Sequence, residues 1–455
     1  MGYAFITFPA ARAALAARLQ DTGLVYWNQP GELDACLIES LRFHQALTGA
    51  YKQKIAFQTQ LDICFYDLPL LTGVANGAAV AYTATDVEVA NNVLAALLEP
   101  PLAAVWSGTG QFSIAQLQVA LQNRLNRFIG DTGCTVTRQI VACPPPPAEV
   151  TSLPDSTLDV RRVAWRPLPL PYNRITNPYG PIPPYYPAYP LGRMDEWAEQ
   201  AYVPGAAQDP MQPFGYSTYG VPPVSIRTIP PPIDEGAIDS LLVMSGPTVN
   251  LDPLNPVVLG LPDNLSPALK WGVLAEMLAS DGPSRDYARA AYCEQRYQEF
   301  VQLAALMPMA LLADIGNAGC GIGSVIDLDA FQPDWQRTTG PPSFVGMCGR
   351  NMACIGQTPD GTYGVGLWVS ANASVDTTGF LQIGRDQIAP VLDYAQHIAC
   401  FKMGGAEFDQ TAGLYQNLIA AAKVQNARLN AVAFYRGQLE QPAQKSELQV
   451  NRLTV

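Results

Sequence analysis

Residues 144–232 hold 22 of the chain's 40 prolines and eight of its 20 tyrosines. Proline lacks a backbone N–H and its ring fixes φ, so the runs at 144–147 and 179–187 cannot be helix interior and favour extended or polyproline backbone. A disordered linker is one reading of the stretch. Such linkers are poor in aromatic residues, however, and the run Tyr179-Gly180-Pro181-Ile182-Pro183-Pro184-Tyr185-Tyr186-Pro187 is rich in them. An ordered arm, laid across its own domain or a neighbouring subunit, fits better. Inside the stretch, residues 158–165 and 224–229 alternate apolar and polar as strands do.

The residues before it read as mostly helical. A short alanine- and leucine-rich helix is expected over 9–19, and a second over 32–47 with Leu33, Leu37 and Leu41 on one face and Gly49 as its stop. Residues 55–68 suit a strand or hairpin arm. Thr85-Asp86-Val87-Glu88 and Ser113-Ile114-Ala115-Gln116 are capping boxes for a third and a fourth helix, the fourth burying Leu117, Leu121, Leu125 and Phe128 ahead of Gly130. A small helical bundle is the expectation for this region.

Residues 261–305 read as a helical hairpin. Ser266 is expected to cap a helix with Pro267 at its first position, and Leu269, Val273, Met277 and Leu278 form its apolar face. Asp281-Gly282-Pro283 ends it, and Ser284 is placed to cap a partner helix striped by Ala290, Cys293, Tyr297, Val301 and Ala304. A glycine-broken, β-leaning section follows over 315–375. A last helical pair is then expected over 387–403 and 407–435, with Tyr415, Leu418, Ala422, Leu429 and Val432 on the inner stripe of its second helix and a polar tail after it. A gapless shift of 123 residues lays Leu265-Ser266-Pro267 on Ile388-Ala389-Pro390, Gly282 on Gly405, Asp286 on Asp409 and Tyr292 on Tyr415. That match is either a duplication or two unrelated hairpins that share punctuation.

The fold class implied is α+β, in four parts: a helical N-terminal domain at 1–143, a Pro/Tyr-rich extended and β region at 144–232, a β segment with a helical hairpin at 233–314, and a β segment with a second hairpin and tail at 315–455. If the duplication is real, the last two parts are copies.

Only 15% of the residues are charged, against a typical quarter, which suits a surface covered by copies or neighbours. A net charge of −12 argues against gripping nucleic acid by neutralising phosphates, and suits a surface past which DNA slides. The amino-terminal stretch lacks a basic start and a sustained apolar run, and no segment has the apolar length to span a bilayer, so a cytosolic place of synthesis and no membrane partner are expected. Nine scattered cysteines fit reduced thiols better than a disulfide framework.

Chemistry is hard to find. His44 and His397 both fall in expected helices, as packed or surface residues rather than ligands, and Cys348 and Cys354 lack a second pair at metal spacing. Gly316-Asn317-Ala318-Gly319-Cys320-Gly321-Ile322-Gly323 has the look of a nucleotide loop, but Pro333 leaves little room for the helix that such a loop must open. Asp327, Asp329 and Asp334 do not match a calcium loop, since Gln332 and Thr338 stand where glycine and glutamate are needed. No catalytic residue, cofactor or metal site is expected. A hydrolase working from Asp327 and Asp329 is the enzymatic alternative.

Leu15-Ala16-Ala17-Arg18-Leu19, Val25-Tyr26-Trp27, Glu32-Leu33 and Glu39-Ser40-Leu41-Arg42 together resemble the opening of head-to-tail adaptor (connector) proteins of tailed bacteriophages. So do Leu153-Pro154-Asp155 ahead of the strand at 158–165, the helix from Pro262-Asp263-Asn264-Leu265, and Arg289-Ala290-Ala291-Tyr292-Cys293-Glu294-Gln295-Arg296-Tyr297 in its partner. The resemblance covers 10–305, and the present chain departs from the pattern by its Pro/Tyr-rich stretch and its second hairpin. It implies a non-enzymatic virion structural protein assembled in the host cytoplasm: a homo-oligomeric neck ring, usually of twelve subunits, beneath the portal. Its implied partners are itself, the portal protein, downstream tail or nozzle proteins, and genome DNA crossing the ejection channel without specific binding. Another phage structural part, a tail-tube, collar or fibre-attachment protein, is the alternative.

Overall fold

The computed structural model describes residues 5–27, 31–49, 52–70, 82–102, 112–143, 150–167, 188–195, 197, 211–220, 224–233, 235–282, 285–306, 310–316, 318–370, 377–381 and 383–425. Its helices are α1 (Phe8–Arg18), α2 (Glu32–Thr48), α3 (Asp86–Ala96), α4 (Ile114–Thr132), α5 (Pro267–Ala279), α6 (Tyr287–Leu306), α7 (Val325–Phe331), α8 (Ile388–Cys400), α9 (Gly405–Asp409) and α10 (412–425). Its strands are β1 (Lys52–Gln58), β2 (Phe65–Asp67), β3 (Thr137–Ala142), β4 (Val150–Ser152), β5 (Thr157–Pro167), β6 (Tyr189–Pro190), β7 (Gly192–Arg193), β8 (Gly215–Tyr219) and β9 (Ser225–Ile229). They continue with β10 (Gly236–Met244), β11 (Ala310–Ile315), β12 (Ala318–Gly319), β13 (Gly321–Ser324), β14 (Thr339–Gly340), β15 (Phe344–Cys348), β16 (Met352–Gly356), β17 (Thr358–Pro359) and β18 (Gly364–Ser370). The α+β class holds.

The chain divides into two units, one of residues 1–50, 94–101 and 373–455, the other of 51–93 and 102–372. The first is helical. Leu33, Leu37 and Leu41 bury one face of α2, which packs on α8 together with α1. Gly49 ends α2 at φ 54, with its N–H on the Gln45 carbonyl, as the sequence leads one to expect. Trp27 donates its indole N–H to the Ala399 carbonyl, and Lys402 and Glu32 form a buried ion pair at 2.7 Å.

Among the described residues the second unit holds four four-stranded sheets that share two cores. In one core, the sheet β3-β10-β5-β6 meets β4-β9-β8-β7 through Val160, Trp165, Tyr216, Ile226, Ile238 and Leu242. In the other, β1-β18-β11-β12 meets β2-β16-β15-β13 through Ile55, Tyr66, Val345, Ile355, Val365 and Leu367. The two sets agree in order and in sense. Every neighbouring pair is antiparallel except one, β7 with β8 in the first set and β13 with β15 in the second, and both of those are parallel. The chain visits the strands of both sets in the same sequence, with the whole of β3–β10 placed between β2 and β11. The β3–β10 set is called inner below, the other outer.

Several expectations need correction. The four N-terminal helices do not form one bundle: α1 and α2 belong to the first unit, whereas α4 packs on α5 and α6 in the second. The boundary expected at 232/233 runs through a single core, because β9 and β10 both feed it. Helix α4 runs past Gly130 to a left-handed cap at Gly133. Ser266 does not cap α5. It is itself helical at φ −57 and ψ −30, continuing the 3-10 turn Asp263–Leu265, and its hydroxyl donates to the Asp263 carbonyl. Helix α5 also lacks a polar face, being buried nearly all round between α4 and α6. The strands expected at 158–165 and 224–229 are present as β5 and β9, and the Ser113/Gln116 capping box forms as expected. The proline run at 179–187, Ser284 and the tail from 426 lie outside the described residues.

Candidate functional site

The inner and outer strand sets meet within the second unit, and a run of polar contacts among the described residues lies along that junction. Asp239 on β10 is 1% exposed and sits between two guanidiniums. Arg138 on β3 donates to it at 2.8 and 2.7 Å and Arg166 on β5 at 3.0 and 2.7 Å, from diagonal positions on the same sheet face. Burial alone would raise the Asp239 carboxyl, but the hydrogen bonds and charges of Arg138 and Arg166 outweigh it and hold the group below the usual range. Arg138 also stacks 4.3 Å over the Phe65 ring of the outer set.

Arg162 on β5 makes the second crossing. It donates to both carboxylate oxygens of Asp329 on α7, at 2.6 and 2.8 Å, and to Gln336. Trp335 donates its indole N–H to the same carboxylate at 2.8 Å. Asn351 supplies a third, accepting from the Val136 N–H and donating to the Val136 carbonyl, both at 2.8 Å. A bidentate, largely dry pair of this kind fixes register between elements more surely than it adds net stability.

Beside these crossings is a cavity of about 560 Å³. The end of α4, Arg161 on β5, Leu241 on β10 and the last turn of α6 form one side; β13, the start of α7 and the β15–β16 turn form the other. Its two cations are Arg161 and Arg350. Arg161 lies flat over Gly133, so close that a Cβ there would meet the guanidinium at 2.5 Å, and it pairs with Asp159 at 3.3 Å. Arg350 is buried, donates to the Ala304 carbonyl at the end of α6, and is pushed down by burial. Cys134 and Cys348 are buried in the lining, and burial raises the Cys134 thiol.

The glycine-rich segment ends in this wall, and here the structure differs from expectation. A helix does open after it: α7, seven residues long, with Ser324 as its cap. Asp327 closes that helix end, accepting from the Ser324 N–H and hydroxyl at 2.8 Å each, and those bonds hold its carboxyl below the usual range. A carboxylate already occupying the N-terminus leaves no phosphate cradle there. The two carboxylates weighed for a hydrolase are thus a cap, Asp327, and an ion-pair clamp, Asp329.

Both histidines lie in the first unit and are packed rather than exposed. His397 is stacked on Phe408 at 4.6 Å, with its Nδ1 on the Thr411 hydroxyl at 2.7 Å. His44 is buried on α2 and pushed down to about 4 by that burial. Among the described residues no three of His, Cys, Asp or Glu come together as metal ligands, and no described helix is long and apolar enough to cross a membrane. The junction was missed in the sequence because its residues come from seven separated segments. The signal that was there is the density of arginine in β5, at Arg161, Arg162 and Arg166, in a strand otherwise suited to a core. No protein-family model matches this chain, and no curated protein matches it.

Proposed function

We propose that this chain is a head-to-tail adaptor of a tailed bacteriophage: a non-enzymatic structural protein of the virion neck that assembles as a ring under the portal, contacts tail or nozzle proteins below, and lets the genome pass. The outward side of α7 carries the reading. Val325 and Leu328 are buried, while Ile326, on the rim of the junction cavity, is 64% and Phe331 83% exposed, in a chain with few charges. Large apolar side chains left in water suit a surface that neighbours cover. The net charge of −12 suits a lumen that does not hold DNA. Imaging of the purified protein and of virions tests it. A closed homo-oligomeric ring at the neck is expected, and a monodisperse monomer absent from particles would sink the reading.

The same reading includes a duplication, nested rather than tandem. The agreement of the two strand sets in order and sense supports it, and the helices extend it. A shift of 84 residues carries Leu33, Leu37, Leu41 and Gly49 onto Leu117, Leu121, Leu125 and Gly133 without a gap. The shift of 123 carries Trp271 and Tyr292 onto Tyr394 and Tyr415, and the two ring pairs have centroids 5.7 and 5.6 Å apart. One copy of the fold has been inserted between β2 and β11 of the other.

A further inference from the structure

We propose that the junction cavity binds a small monocarboxylate with an apolar body. At about 560 Å³ it falls in the size range of small-molecule sites, and it lies where two packed strand sets meet, a preferred place for them. Arg161 and Arg350 reach its lining from opposite sides of the junction, one from β5 and one from the β15–β16 turn. A guanidinium carries five N–H donors in a plane, so capping a carbonyl and forking a carboxylate are compatible tasks for one side chain. Charge counts for more in such a site, because the surroundings of Arg350 are dry.

The rest of the lining selects the ligand. Leu241, Ile322, Val325 and Met347 offer alkyl surface for an apolar body. The Asp327 carboxylate is exposed and lies outside the lining, 3.0 Å from where a Cβ on Gly323 would be, so it adds negative charge near the rim that works against a multiply charged group such as a phosphate ester. Asp159 shares Arg161 and lowers the net positive charge further. A single negative charge on a short hydrocarbon is what these groups accommodate together.

Isothermal titration of the full chain with phenylacetate and with hexanoate tests this, with neutral phenylacetamide as the third arm. Saturable binding of both acids is expected, with at least tenfold weaker binding of the amide. Two variants locate the site. Arg161→Gln removes a half-exposed cation, and Ala305→Trp plugs the rim from the exposed last turn of α6 without touching a charge. Arg161→Gln should weaken binding about tenfold and Ala305→Trp should abolish it, with far-UV circular dichroism unchanged. If Arg161→Gln loses the fold, Ala305→Trp alone decides. Equal binding of acid and amide, wild-type binding by the plugged variant, or no saturable heat with either acid would each overturn the proposal. None of these outcomes bears on ring formation.

Discussion

The two helical layers, α4-α5-α6 and α2-α8-α10, solve one packing problem with different chemistry. In the inner layer Arg124 of α4 bonds Glu276 of α5 at 3.2 Å and Glu294 of α6 at 2.6 Å, and lies 5.2 Å from the Tyr297 ring centroid. In the outer layer rings take the central place, with the ion pairs Lys402–Glu32 and Arg18–Asp393 beside them: Phe43 of α2 meets Tyr394 at 5.2 Å and Tyr415 at 6.4 Å, and His397 stacks on Phe408 and Tyr415. Ser40, at the position matching Arg124, donates instead to the Val391 carbonyl at 2.7 Å. Both layers hold a central aromatic pair at matching positions, while the contacts that join their three helices differ. The lesson is that the aromatic pair defines the layer, and the polar partners adapt to it.

The largest test of that comparison removes the shared ring. Trp271 and Tyr394 are both fully buried. Trp271→Ala and Tyr394→Ala should each cost about 3–5 kcal/mol, the usual range for emptying a buried aromatic site. Urea denaturation followed by hydrogen exchange at α5 and at α8 would check it. A small loss at one site and a large loss at the other would break the equivalence.

A second test makes the outer layer more like the inner one. His44 occupies the position that matches Phe128, and its Nδ1 has no hydrogen-bond partner among the described residues. In the folded chain it takes its proton near pH 4, against about 6.5 when unfolded. Between those values the unfolded state binds more protons, so the stability is present above pH 6.5 and is lost as pH falls towards 4. The total loss is about 3 kcal/mol. His44→Phe should remove this slope between pH 6.5 and 4, measured by denaturant melts at several pH values, and should leave Trp271→Ala unaffected in size.

The smallest test concerns the two helix stops. Gly49 and Gly133 have φ of 54 and 56, a backbone that disfavours any Cβ. Gly49→Ala should cost about 1 kcal/mol. Gly133→Ala should cost about 2 kcal/mol, because the same strain is joined by a clash with Arg161. Equal losses in thermal melts would show that Arg161 moves aside freely.

Much of this architecture was readable where the information is local. The Ser113/Gln116 box placed the start of α4 and Gly49 the end of α2, because a capping box or a left-handed glycine acts within four residues, whereas the helix expected over 407–435 is broken between α9 and α10. Ser266 misled because a cap depends on its own φ and ψ, which the preceding 3-10 turn had already made helical. The shift of 123 was legible in its proline, glycine and aromatic punctuation. The shift of 84 rests on three leucines and a glycine, too little to stand out from ordinary helix periodicity. The nesting was hidden for a plainer reason: Lys52 pairs with Ser370 and Ala142 with Ala237, and no window along the chain contains both ends of the longer pairing. The junction cavity was hidden in the same way, since it exists only once both strand sets are in place.

The insertion of one strand set inside the other also imposes a timetable on synthesis. When the ribosome has passed residue 306, every element of the inner set and its helical layer has been made, and that part of the second unit has its own buried core to close. Strand β1 and helix α2 emerge first but must wait for β18 and α8. Closing that longer loop costs little extra free energy, since the entropy grows only with the logarithm of its length, but it takes time. The first part of the chain to appear is therefore among the last to find its place, and its Leu and Ile side chains spend that interval within reach of chaperones.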